Sequence, residues 1–174
     1  MKWPKNLALP LACRPRKRPI RCLKACHKIP GKLSRKGDKT LAKEEQKIVK
    51  QSGERRIVLA DSAAAMDESS KNDVFVDGSH CGLNVGEMAL HSRVRGMIGN
   101  DAGLGKNDAG IAGLKLLEEH GIPAAAVSCM SAKIGSGTST YEQGKISVAN
   151  ATAKKLGITV GMSAKEAADK MLAA

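Results

Sequence analysis

Aromatic side chains are nearly missing from this chain, whose 174 residues hold one Trp, one Tyr and one Phe. A platform for stacking nucleic-acid bases is therefore poorly provided for. Any core must be aliphatic, built from Ala, Val, Leu, Ile and Met. Long apolar runs are missing too. No stretch approaches the roughly 18 to 20 residues of a membrane-spanning helix. The run at 7–13 is broken by Pro10 and followed by Arg14, Arg16, Lys17 and Arg18, unlike a secretory signal. Five cysteines (Cys13, Cys22, Cys26, Cys81, Cys129) are an odd number without the density of a disulfide scaffold. Free thiols in a reducing cytoplasm, and no membrane partner, are the expectation.

The charge is present but unevenly spread. Residues 1–56 carry 18 Lys and Arg against four acids, Asp38, Glu44, Glu45 and Glu54, a net of +14. Residues 57–174 carry 11 against 13, a net of −2. Pro4, Pro10, Pro15, Pro19 and Pro30 interrupt any helical or strand period in the first part, which reads as a basic, largely disordered arm. Within it, 39–51 has a thin apolar stripe of Leu41, Ile48 and Val49 that suits a short helix. Lys and Arg runs neutralise phosphates without a fold, so nucleic-acid binding through 1–56 is one reading of the arm. A transit peptide should contain more serine. A translated upstream region with no role of its own is a third reading. Cys22, Cys26 and His27 do not keep the C-x-x-C-H spacing of haem attachment, and no second ligand pair supports zinc.

Fifteen of the 18 glycines lie beyond Arg56, where strands and helices alternate. Short apolar runs at 57–60 (I-V-L-A), 74–76 (V-F-V), around 97–98 (M-I) and at 122–127 (I-P-A-A-A-V) predict buried strands. Periodic segments at 83–91, 109–120, 144–156 and from 164 to about 172 predict helices. Ser62 and Asp108 are N-cap candidates, and Ser163 with Glu166 matches a capping box. Gly121 and Gly157 supply helix stops. A fifth strand at 158–160 (I-T-V) is the alternative to an extended link. This alternation predicts an α/β domain over 57–174, a small three-layer open parallel sheet of about four strands, Rossmann-like or flavodoxin-like. A small-residue core buries little apolar area per residue, which favours homo-oligomers.

Loops leaving the carboxyl ends of parallel strands share one edge, where ligands settle. Three such loops are rich in glycine and polar residues. The first, 77–82 (D-G-S-H-C-G), offers His80 as acid or base, Cys81 as a thiol, and Ser79 and Gly82 as substrate contacts. Burial of Cys81 as a small apolar group is the competing explanation. The second, 99–107 (G-N-D-A-G-L-G-K-N), lacks the P-loop spacing. It still places Asn100 and Asp101 at a strand end and Gly105 and Lys106 where backbone amides and an ammonium suit an anion. The third, 128–144, brings Ser131, Lys133, Ser136 and Thr138 on a flexible G-x-G segment. No metal or cofactor constellation emerges; His91 and His120 fall near helix ends, where their charge complements the dipole.

Together these residues predict an enzyme of hydrolase or lyase type, moving a proton on a small anionic molecule. His80, Asp101 and Lys133 would do the chemistry. A non-catalytic ligand-binding or oligomerising module is the alternative.

Overall fold

Runs of four or five apolar residues with no polar partner face are what a strand covered on both sides requires, and they lie at the centre of the sheet. The computed structural model describes residues 45–174. Six strands occur in it: β1 (Lys47–Ser52), β2 (Arg55–Ala60), β3 (Val74–His80), β4 (Gly96–Asn100), β5 (Ala124–Val127) and β6 (Ile146–Ala149). They lie side by side in chain order, β1-β2-β3-β4-β5-β6. β2 to β5 are parallel to one another, and β1 and β6 add antiparallel strands at the two edges. The protein is thus an α/β fold on a mixed six-stranded sheet. The four strands predicted from 57–60, 74–76, 97–98 and 122–127 are its parallel middle. Their sequential order lacks the reversal that defines a Rossmann-like or flavodoxin-like sheet, which corrects that part of the expectation.

Alternate residues of each strand feed separate cores. Val58, Phe75 and Met97 point to one face, where they meet a 3-10 turn (Ala63–Ala65), α1 (Leu83–His91) and α2 (Ala112–Glu119). Ile57, Leu59, Val74, Val76 and Ile98 point to the other face. There they meet α3 (Gly137–Gln143) and α5 (Ala164–Ala173), with α4 (Ala151–Lys155) beside β5. The result is three layers. The expected helix starts and stops are present at several ends. Ser62 accepts from the Ala64 amide, Ser163 and Glu166 form a reciprocal capping box, and Gly121 and Gly157 take left-handed φ.

Three expectations fail, and one open alternative is decided. The stretch 47–52, placed in the arm and in a short helix, is the edge strand β1, so the sheet begins before Arg56; residues 39–44 lie outside the described residues. The stretch 144–156 is not one helix but β6 followed by α4, with Asn150 capping α4 through a bond from the Ala153 amide. The stretch 158–160 is a link rather than a strand. Asp108 does not cap α2; it sits at φ +58 in a 3-10 stretch, Lys106–Ile111, and Ile111 stands at the cap position. The basic residues of 1–44, with Trp3, Cys13, Cys22, Cys26 and His27, lie outside the described residues.

Backbones meet most closely where α3 starts against the sheet. A Cβ on Gly78 would stand 2.6 Å from the Gly135 carbonyl carbon and 2.7 Å from the Asp61 oxygen, both backbone atoms that cannot turn aside. Gly78→Ala is therefore expected to cost about 1–3 kcal/mol, the range of overpacked cores. Gly53→Ala, in the open β1–β2 turn at φ +62, should cost about 1–2 kcal/mol from backbone strain alone, with no clash added. Urea unfolding of the two variants reads the difference.

Candidate functional site

Because β2 to β5 are parallel, the segments leaving them all emerge on one edge. The antiparallel β6 adds its first residues to the same edge. The connections after β2, β3 and β4 turn to the α1/α2 face, whereas the one after β5 turns to the α3/α5 face. β4 and β5 are neighbours whose chains part in opposite directions. Such a parting is the usual seat of ligands in open α/β sheets.

Asp101 stands at that parting, directly after β4. Its Oδ1 accepts from the Gly103 amide at 2.9 Å and the Cys129 amide at 3.0 Å, and its Oδ2 accepts from the Ser147 hydroxyl at 2.8 Å. Burial works to raise its pKa, but the Gly103 and Cys129 amides and the Ser147 hydroxyl outweigh it, and the carboxyl is held below the usual range. Asp101 is an ionised tie between β4, the loop after β5 and β6. The β5–α3 loop then runs back across the strand ends: the Asn100 amide donates to the Ala132 oxygen at 3.3 Å, and the Gly135 amide donates to the Gly78 oxygen at 2.7 Å. The three loops singled out in the sequence do converge on one rim.

Their side chains are employed differently from the expectation. Asn100 is fully buried and holds the Ala102 amide through Oδ1. Ser79 accepts from the Ala63 amide at 2.9 Å, and Ser131 donates to the Ser128 oxygen while accepting from the Lys145 amide. Ser136 caps α3, and Gly82 stands at the N-cap of α1. Thr138 lines a separate cavity of about 300 Å³ over the end of β2, with Asp61, Gln46 and Lys47. The hydroxyls of Ser79, Ser131 and Ser136 are thus engaged with backbone groups. The exposed groups are His80, Lys106 and Lys133, with Gly105 in its left-handed conformation. Neither ammonium has an ion-pair partner among the described residues. His80 accepts the Gly82 N–H at Nδ1, 2.9 Å away. That assigns the proton of the neutral ring to Nε2 and makes it a hydrogen-bond donor.

No family model, no curated protein and no solved structure matches the chain. The site therefore rests on its own chemistry.

Two buried groups on the α1/α2 face complete the picture. Asp77 is wholly buried on β3, accepts the Ser79 amide at Oδ1 (2.7 Å), and has no partner at Oδ2. Burial, only partly offset by Ser79, pushes its pKa up to about 8. Cys81 lies beside it; burial, then the Asp77 charge, drives its thiol well up, which rules against a thiolate nucleophile. Cys129 is half-buried. Sequence reading passed over Asp77, though an acid closing the apolar run V-F-V was the available signal. Ser147 was hidden inside a stretch read as helix. Among the described residues no cluster of His, Cys, Asp or Glu is arranged to hold a metal, and no helix is long and apolar enough to cross a membrane.

The two aspartates predict opposite pH behaviour. Folded Asp77 keeps a proton that the unfolded chain releases, so its contribution favours the fold below pH about 4 and is lost as pH rises towards about 8. Asp77→Asn should flatten a decline of up to roughly 1.4 kcal/mol per pH unit across that window, read by urea unfolding. Asp101 has the reverse sign, stabilising above the ordinary carboxylate range and losing that effect as pH falls through its lowered value. Asp101→Ala should cost about 1–3 kcal/mol near neutrality, since it removes a charged acceptor from two part-buried amides and the Ser147 hydroxyl, and the gap to wild type should narrow in acid.

Proposed function

We propose that the strand-end rim over β3, β4 and β5 binds a small anionic molecule, as a ligand-binding module. The observation that carries the reading is the parting of the β4 and β5 connections at Asp101, with His80, Lys106 and Lys133 exposed at the end of β3 and on the segments leaving β4 and β5. Two unpaired ammonium groups and one oriented imidazole N–H are donors that suit a carboxylate or phosphate. The Asp101 charge does not oppose this, because both its oxygens are turned to amides and a hydroxyl of the protein.

Binding is preferred to the hydrolase or lyase reading because two of the three expected catalytic groups, Asp101 and His80, are engaged. Asp101 has no free oxygen, and the basic nitrogen of His80 is occupied by the Gly82 amide. A base with an occupied lone pair takes no proton from a substrate. What His80 offers is a hydrogen bond to the ligand's oxygen.

Calorimetric titration with acetate, succinate, citrate and inorganic phosphate tests the proposal. At least one should bind, and Lys133→Ala or Lys106→Ala should weaken it about tenfold, near 1.4 kcal/mol, with a marked loss in high salt. His80→Phe should weaken it by a smaller factor. Anion affinity unchanged in all three variants would overturn the assignment, as would turnover of a bound ester or phosphate that disappears in the Asp101→Asn variant.

A further inference from the structure

The rim carries apolar side chains as well as cations. The large hydrophobic residues that stand well exposed among the described residues are Ile48, Leu83, Leu104, Met130, Ile134 and Val160. Four of them, Leu83, Leu104, Met130 and Ile134, lie on the segments that leave β3, β4 and β5 at the rim. Met130 is 91 % exposed and Ile134 52 %. Single exposed apolar residues are ordinary, whereas several gathered on one functional edge mark a contact surface.

Backbone contacts bring these segments together. A Cβ on Gly103 would lie 3.9 Å from the Cys129 sulfur, so the chain at Leu104 runs beside the chain at Met130. The Gly110 amide donates to the Leu104 oxygen at 2.8 Å, and a Cβ on Gly82 would lie 3.3 Å from the Ala109 oxygen. Leu83 is thereby linked to Leu104 through 109–110. Ile134 adjoins Lys133, and Leu104 is two residues from Lys106. Exposed apolar side chains and ammonium groups thus share the segments of one rim.

Resting on the anion-binding reading above, we infer that the ligand is an anionic amphiphile, a carboxylate or phosphate with an alkyl body, taken up as a free monomer. The lysines and the His80 N–H hold its head, and Leu83, Leu104, Met130 and Ile134 cover its body. A purely polar anion would leave those four side chains in water and draw nothing from them.

The test is calorimetric titration of the full chain with acetate, butanoate, hexanoate and octanoate, all below their micellar concentrations. Hexanol and octanol serve as uncharged controls. Affinity should rise with length, by up to about fourfold for each methylene that is covered. The double variant Met130→Ser, Ile134→Ser should flatten this rise, while Ile48→Ser, on the edge strand, should leave it as in wild type. Equal affinity for all four carboxylates, still sensitive to Lys133→Ala, would overturn the amphiphile and leave the anion site standing. Failure of every carboxylate and of phosphate to bind would overturn both. Octanol bound as tightly as octanoate would remove the role of the lysines. Binding to anionic phospholipid vesicles without binding to monomeric octanoate would make the rim a membrane-contact surface and overturn the inference.

Discussion

The carboxylate of Asp101 is the tie on which the rim depends. At the point where neighbouring connections leave for opposite faces, it spans the gap together with the Asn100 bond to the Ala132 oxygen. One oxygen gathers two amides from two loops, and the other takes a hydroxyl from the antiparallel edge strand. Three segments distant in sequence are fixed by a single charge. Hydrogen bonds to an ionised acceptor are about twice as strong as neutral ones, and here they are also largely shielded from water. The exposed lysines and the His80 ring owe their common address to this tie, because each is carried on a segment that it or its neighbours hold in place.

Two aspartates at adjacent strand ends show how finely ionisation follows donor count. Asp101 has three donors and is held charged; Asp77 has one bonded oxygen, one bare oxygen and a surrounding of Ala60, Gly99 and Cys81. The same side chain is driven in opposite directions by its second neighbours. A buried acid with a bare oxygen opposes stability at neutral pH, and its retention shows that the sheet tolerates a local penalty beneath the rim. Thiol chemistry at Cys81 is closed off by the same enclosure.

Much of this arrangement could be read from the amino acids, and the failures have physical causes. The four parallel strands, α1, the Ser163–Glu166 box and the stops at Gly121 and Gly157 were legible because each depends on residues close together in the chain. β1 was not: Lys47, Lys50 and Gln51 make an edge strand look like a solvated helix, since one side of it never meets the core. β6 was not either. In I-S-V-A the apolar residues, followed by Ala153 and Leu156, also satisfy a helical spacing, and only the pairing with β5 decides between them. Asn150 then serves as both cap and brace, its amide donating to Leu114 and Ile122 oxygens. The convergence of the three rim loops was legible from topology alone. The roles of Ser79, Asn100, Ser131 and Ser136 were not, because a hydroxyl or amide looks the same in sequence whether it awaits a ligand or already satisfies a backbone group.

The strands lie in the order in which they are synthesised, and this bears on how the chain reaches its native state. Each new strand can add to the edge left by its predecessor, so pairing demands only short-range loop closure, a topology that favours rapid folding. Covering the sheet is a different matter. The α1/α2 side is closed by segments lying between the strands it shelters, and it is completed along with them. The opposite side is partly covered by α3, which lies between β5 and β6, and is completed only by α5, which follows all six strands and packs across β2, β3 and β4. During elongation that second surface, with Ile57, Val74, Val76 and Ile98, therefore stays only partly covered until α5 has formed.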